Sequence, residues 1–162
     1  PRIVIPFYDK DKNLLGVQGR AIGKSKVKYI TMKLHENNPK IFGWDKVDGT
    51  KTITVVEGPI DSLFLHNAVA TMDASLYNVT EILGKDKDYV FVYDNERRNA
   101  QVVANMEATI QRGHKICIWP DSITEKDINE MFLAGISVQS IIDSNTVSGL
   151  NALMKLNEWS RI

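Results

Sequence analysis

Hydrophobic and polar positions along the chain follow two rhythms, and the change between them falls near residue 52. Before it, short apolar-rich runs are separated by polar turns. Ile3 to Tyr8 is one such run, "DKDKN" is a polar turn, and Leu14 to Ile22 returns as a second run, so the pattern predicts a hairpin. "KSKVKYITMKL" predicts a further strand, and "NNPKIFGWDKVDGTK" reads as loop with a short ordered piece around Ile41 to Trp44.

From Thr52 strands alternate with helices. "TITVV" is a continuous apolar run, the pattern of a strand covered on both faces. A short helix over Asp61 to Asn67, a weak strand "AVATM", a helix over Asn78 to Leu83 and a second buried strand "DYVFVY" follow. Asn99 to Arg112 carries the strongest helical signal, with Val102, Val103, Met106 and Ile110 on one face and Gly113 as a stop. "KICIW" is another strand, ended by Pro120, and Glu125 to Leu133 and Ser137 to Asp143 read as helices. Ser148 is placed to cap a last helix, on which Leu150, Leu153, Leu156 and Trp159 share a stripe. This order predicts an α/β fold: a mainly parallel sheet with helices on both faces, preceded by a small β-rich subdomain. The divisions fall at 1–50, 51–135 and a C-terminal helical segment, 136–162, packed on the core.

Composition narrows the class without naming a chemistry. With 162 residues, 43% hydrophobic and 25% charged, the chain can bury a substantial core. No apolar run approaches the roughly 18 residues of a membrane helix. The single cysteine, Cys117, excludes an internal disulfide and a cysteine-based zinc cluster, and fits a reducing, intracellular setting. It reads as a small buried hydrophobe. The chain opens at the edge of a strand without an initiator methionine, as a fragment of a longer protein would. Formal charge is zero but uneven: residues 1–50 hold ten Lys/Arg against five Asp/Glu, and the remaining 112 hold ten against fifteen. A basic front and an acidic back point to a polyanion at one and metal cations at the other.

Ligands of open α/β sheets gather beyond the carboxyl ends of the strands. Here "TITVV" runs into Glu57 and "DYVFVY" into Asp94, with Glu96 two positions on and Asp127 in "EKDINE" further along. Were the segment extended, Asp94 and Glu96 would project to one side. Carboxylates crowded on one rim repel each other, and a divalent cation relieves that repulsion. Oxygen donors without paired His or Cys favour Mg²⁺ or Mn²⁺, hence phosphoryl or nucleotidyl transfer, with bond making and bond cutting both open.

"EGPID" at 57–61 resembles the Glu-Gly-x-x-Asp signature of TOPRIM domains, found in bacterial-type primases, topoisomerases and some nucleases. "DNE" at 94–96 stands where that family has Asp-x-Asp, and "WP…EKDINE" is similar to the acidic motif after the next strand. Upstream, "RIVIPFYDKDKNLLGVQGRAI", "KYI" and "IFGWDKV" resemble the basic subdomain that precedes TOPRIM in primases. The resemblance covers nearly the whole chain, in order, and is closest to DNA primases of tailed phages.

The resemblance implies an RNA-polymerase core that makes short RNA primers on a single-stranded DNA template from ribonucleoside triphosphates, with Mg²⁺ or Mn²⁺. It implies a replicative helicase as partner and the cytoplasm of the phage-infected bacterial host as location. Glu57 would manage the proton of the 3′-hydroxyl, and Asp94, Glu96, Asp127 and Glu57 would hold metal. Asp61 would order the turn, Asn129 stands where primases often have a second acid, and Gly58 would let phosphate approach the strand end. Arg20, Lys28 and, more weakly, Lys40 align with basic residues that hold template and nucleotide. Arg97 and Arg98 follow the acidic pair, where they would meet triphosphate or template, or cap neighbouring carboxylates. An upstream zinc-binding module, usual in such primases, is not in this sequence. The rivals are a DNA-cleaving TOPRIM nuclease or topoisomerase fragment and a non-catalytic module that grips single-stranded DNA or a helicase.

Overall fold

A computed structural model of the chain describes residues 1–72 and 75–162. Strands β1 (Arg2–Tyr8), β2 (Leu14–Ala21) and β3 (Tyr29–Lys33) form an antiparallel front sheet in sequence order. Gly16 in β2 sits where any side chain would collide: a Cβ would lie 2.5 Å from the Met32 carbonyl oxygen and 2.8 Å from the Phe7 ring. That contact lets Phe7 bury completely between the strands. The third strand is shorter than its apolar run, because residues 24–28 form bends rather than ladder.

The second sheet has five strands in the order β5-β4-β6-β7-β8. These are β4 (Ile53–Val56), β5 (Ala68–Ala70), β6 (Tyr89–Phe91), β7 (Lys115–Cys117) and β8 (Thr146–Val147). The first four run parallel, and β8 pairs antiparallel with β7. All residues of β4 and β6 are buried, as their unbroken apolar runs require. The segment after residue 136 therefore supplies an edge strand as well as helices. Two residues are too few to print a periodic signal, so the sequence pattern does not show β8.

Among the described residues six α-helices flank this sheet: α1 (Pro59–Ser62), α2 (Val79–Leu83), α3 (Ala100–Gln111), α4 (Ile128–Leu133), α5 (Val138–Asn145) and α6 (Gly149–Trp159). Helix α1 packs on β4, β5 and α4, which in turn meets α5; α3 packs on β7 and α6. From β4 the chain moves to β5 on one side; from β6 it moves to β7 on the other. Right-handed crossovers in opposite directions place α1 and α3 on opposite faces. The crevice between the carboxyl ends of β4 and β6 is thus the topological switch point of the sheet, where such folds hold ligands.

Several helix limits differ from the periodic pattern. Helix α1 starts at Pro59, a residue suited to the first helical position, and its last turn unwinds before Asn67. Helix α4 starts at Ile128 because the Asp127 side chain caps it, accepting from the Glu130 amide at 2.8 Å. Ser148 makes no side-chain cap bond to α6, and Leu150 is exposed; Ala152, Leu156 and Trp159 form the buried stripe, with Leu153 half-buried. Around Ile41 to Trp44 the ordered feature is a single bridge, Phe42 with Ala70, which seats buried Ile41 on the second sheet. Cys117 is buried in β7. Among the described residues no helix is long and apolar enough to cross a membrane.

Candidate active site

Strand β4 delivers Glu57 to the switch point, and the four residues after it explain the shape of the turn. Asp61, in the first turn of α1, folds its carboxylate back over Gly58: a Cβ on Gly58 would lie 2.4 Å from Asp61 Oδ2. The glycine thus makes room for a carboxylate of the chain itself, and phosphate approach is not needed to explain it. Asp61 Oδ1 accepts the Asn129 amide of α4 at 3.0 Å, so the turn after β4 is tied to the third acidic segment. The part Asn129 plays in this contact comes from its backbone.

The chain leaving β6 runs buried through Val92 and Tyr93 to Asp94, whose amide bonds the Glu57 carboxylate. Beyond Asp94 the backbone turns at once, with the Glu96 amide donating to the Asp94 carbonyl at 2.8 Å. The extended geometry that would set Asp94 and Glu96 side by side is therefore absent. Glu96 instead pairs with Lys126 at 2.9 Å and accepts from Asn99 Nδ2 at 2.8 Å. Asn95 locks this turn to the segment before α4, donating from its side chain to the carbonyls of Ile123 and Glu125, each at 3.0 Å. Its amide donates to the Lys126 carbonyl at 2.7 Å.

Glu57, Asp61, Asp94 and Asp127 line one crevice of about 480 Å³, together with Lys126 and Met72. Its opposite wall comes from the front sheet: Gln18 of β2, Lys28, and Tyr29 and Thr31 of β3. Arg20 stands beside this wall, its guanidinium 5.7 Å from the centre of the Tyr29 ring, and Lys28 Nζ is equally near. Glu96 lines an adjoining cleft with Arg98, Asn99 and Arg161. Arg97 is committed to structure there: it pairs with Asp121, donates to the Trp119 and Pro120 carbonyls and lies over the Trp159 ring. Lys40 precedes buried Ile41 in the segment between β3 and β4 and is not among the residues lining the crevice.

The electrostatics of the crevice follow from burial and like charge. Desolvation pushes the Asp94 carboxyl up to about 7, reinforced by the charges of Glu57, Asp61 and Asp127. Burial raises Glu57 and Asp61 as well; the Asp94 amide opposes the shift in Glu57, and the Asn129 amide opposes it in Asp61. Glu96 goes the other way, held below the usual carboxylate range by Lys126 and Asn99. Among the described residues no three His, Cys, Asp or Glu side chains are drawn together into a ready-made cation cage. The donors nevertheless fit a hard divalent cation: four carboxylates share one partly desolvated crevice, with Lys126 beside them and Lys28 on the facing wall.

The strand-end pattern points to Glu57, Asp94 and Asp127, and the resemblance adds Asp61, Arg20 and Lys28; neither points to Lys126, Gln18, Tyr29, Thr31 or Met72. Alternation in β2 and β3 does place Gln18 with Arg20 and Tyr29 with Thr31 on common faces. Nothing in periodicity says that these faces meet the ends of β4 and β6.

No protein-family model matches the chain. It is 34% identical over 169 residues to the DNA primase of Enterobacteria phage T4, an alignment covering all of this chain and 48% of that protein. The chain thus spans about half the length of the curated relative it matches. The DnaG catalytic core superposes with a TM-score of 0.69 at 18% identity, over 94% of this chain and 55% of that one. The primase fragment of the bacteriophage T7 primase-helicase gives 0.65 at 21%, over 86% and 61%. A DnaG primase catalytic domain bound to single-stranded DNA gives 0.66 at 17%, over 90% and 52%. The fold is that of a primase catalytic core.

Proposed function

Taking as premise that the chain is a relative, over its whole length, of a phage DNA primase and has the primase catalytic-core fold, we propose that it joins ribonucleotides on single-stranded DNA to make RNA primers. The observation that carries this reading is the convergence of Glu57, Asp61, Asp94 and Asp127, from three separate segments, on a crevice walled by Lys28 and Tyr29, with Arg20 beside that wall. An acidic floor opposite a basic wall suits a reaction between polyanions whose charge must be held while one bond replaces another.

Asp94, Asp127 and Glu57 are the residues to hold Mg²⁺ or Mn²⁺. Glu96 joins them when Lys126 turns from it toward a triphosphate. A bound cation supplies Lewis-acid polarisation of the α-phosphate and favours deprotonation of the attacking hydroxyl. Glu57 receives the 3′-hydroxyl proton, a task suited to a carboxyl whose proton affinity burial has raised. The 3′-oxygen then bonds the α-phosphorus and pyrophosphate departs. Lys28, Arg20 and, further out, Lys40 and Arg98 neutralise template and triphosphate, while Asp61 keeps the Glu57 turn and α4 in register through Asn129. Single-stranded DNA is the template, as one fold neighbour binds it, and a replicative helicase is the partner that delivers it, as another neighbour is a fragment of a primase-helicase protein.

The test is primer synthesis on single-stranded DNA with ribonucleoside triphosphates, comparing the wild type with Glu57→Gln and Asp94→Asn. Loss in both variants with unchanged circular dichroism supports the reading. Primer yield near wild type in either contradicts it, and nicking of DNA in place of primer synthesis would shift the reading to bond cutting.

A further inference from the structure

The crevice lining is mostly charged or polar, which suits phosphate and metal but not the flat ring of a base. Tyr29 on the front-sheet wall and Met72 beside the carboxylates are the exceptions, each bringing apolar surface to it. Tyr29 stands opposite Arg20 in the β2–β3 ladder, on the same face as Thr31. That face looks onto the carboxylates, since the Arg20 charge opposes the rise in the Asp61 carboxyl. Tyr29 keeps 39% of its surface exposed, so a ligand in the crevice can reach it. Arg20 and Lys28 each lie 5.7 Å from its ring centre. Cation–ring attraction at exposed sites is worth only about 0.5–1 kcal/mol, so phosphates can draw both cations away and leave the ring to a base.

Met72, two residues beyond β5, has a φ of 52°, a left-handed conformation that methionine adopts only at a cost. Its amide donates to the Glu57 carbonyl at 3.1 Å, which ties this turn to the end of β4. Glycine would hold the same backbone without strain; methionine adds polarizable apolar surface on the crevice. A nucleotide needs such surface. Its phosphates are met by cations, but its base gains from aromatic and apolar contact. A template-directed site must also admit all four bases, and stacking does so because every base has a π-face.

We propose, resting on the nucleotidyl-transfer reading of this crevice, that the Tyr29 ring is the stacking platform for a nucleobase and that Met72 gives that base an apolar contact on the carboxylate side. The template strand and the nucleoside triphosphate both present this chemistry. Arg20 and Lys28 then serve the phosphates attached to the stacked base.

Equilibrium binding to the full chain in the presence of Mg²⁺ tests this with two pairs of ligands. One pair is a short oligothymidylate and the same backbone without bases; the other is ATP and ribose 5-triphosphate. Tyr29→Leu should weaken the base-bearing ligand of one pair by about fivefold to a hundredfold, the cost of one base–aromatic stack, and its base-less partner by no more than about twofold. Tyr29→Phe, which keeps the ring, should bind as the wild type does. Met72→Ala should narrow the same difference by a smaller factor, and it supplies the comparison should Tyr29→Leu fail to fold. The pair that responds identifies the stacked base as template or as nucleotide. A wild type indifferent to the base in both pairs, or a Tyr29→Leu change that treats base-bearing and base-less ligands alike, overturns the proposal and leaves nucleotidyl transfer intact. A wild type that binds neither DNA nor ATP overturns the nucleotidyl-transfer reading, and the platform falls with it.

Discussion

The two sheets that face each other across the crevice are built on opposite terms. In the back sheet β4 and β6 are buried along their whole length, so the strand ends carrying Glu57 and Asp94 are anchored in the core. In the front sheet every residue of β3 is exposed, and the register sets Val4 with Gly19 and Ile30 on the face away from the crevice. The back sheet thus fixes carboxylates that cannot move apart, while the front sheet supplies adjustable cationic and polar contacts. On the proposed function, chemistry belongs to the first and capture of ligand to the second. Mutations on the two sides should therefore change different quantities.

The largest contrast is in turnover. Glu57→Gln and Asp94→Asn should each lower primer synthesis by at least about a thousandfold, the scale for removing a positioned acid–base or charge-stabilising group, with unchanged circular dichroism. Stability should separate the sheets next. Phe91→Ala, in the centre of the back sheet, should cost about 3–5 kcal/mol in urea unfolding. Met32→Ala, on the exposed strand, should stay within about 0.5 kcal/mol.

A smaller effect comes from pH in the presence of a chelator. Asp94 titrates at about 7 in the folded protein against a reference value of 3.8, so between these values the folded state holds a proton that the unfolded chain has released. Stability must then fall as pH rises through that window, by up to about 4 kcal/mol from Asp94, and the raised Glu57 and Asp61 carboxyls act in the same direction. Asp94→Asn should flatten the slope and melt above the wild type at pH 8; a wild-type curve that rises from pH 4 to 7 would contradict the crowding. The smallest effect should belong to the front sheet. Lys28→Ala should weaken single-stranded DNA binding several-fold and lower its salt slope by about 0.7, the value for one phosphate contact on a single strand.

Legibility of the sequence divides along the same line. The back-sheet strands announce themselves as unbroken apolar runs because both faces are covered, and their carboxyl ends mark Glu57 and Asp94 directly. The limits of α1 and α4 are harder to read. They are set by Pro59 and by the Asp127 cap, local hydrogen-bonding and ring effects that compete with apolar periodicity. Strand β8 is too short to have a pattern. Glu96 illustrates a different gap: a two-residue spacing implies a shared side only if the backbone is extended, and the turn at Asp94 removes that condition. Lys126 and Tyr29 could not be found from periodicity, since their importance comes from a meeting of segments far apart in the chain.

The central claim is that carboxylates of separate segments converge in an environment that a divalent cation stabilises. Titration with Mn²⁺, followed by the loss of its free electron paramagnetic resonance signal, tests this without any need for catalysis. The wild type should bind the ion, and Asp94→Asn and Asp127→Asn should each weaken binding by at least about tenfold, the cost of losing even an outer-shell partner at a metal site. Absence of Mn²⁺ binding in the wild type, or equal binding in all three proteins, would contradict the account.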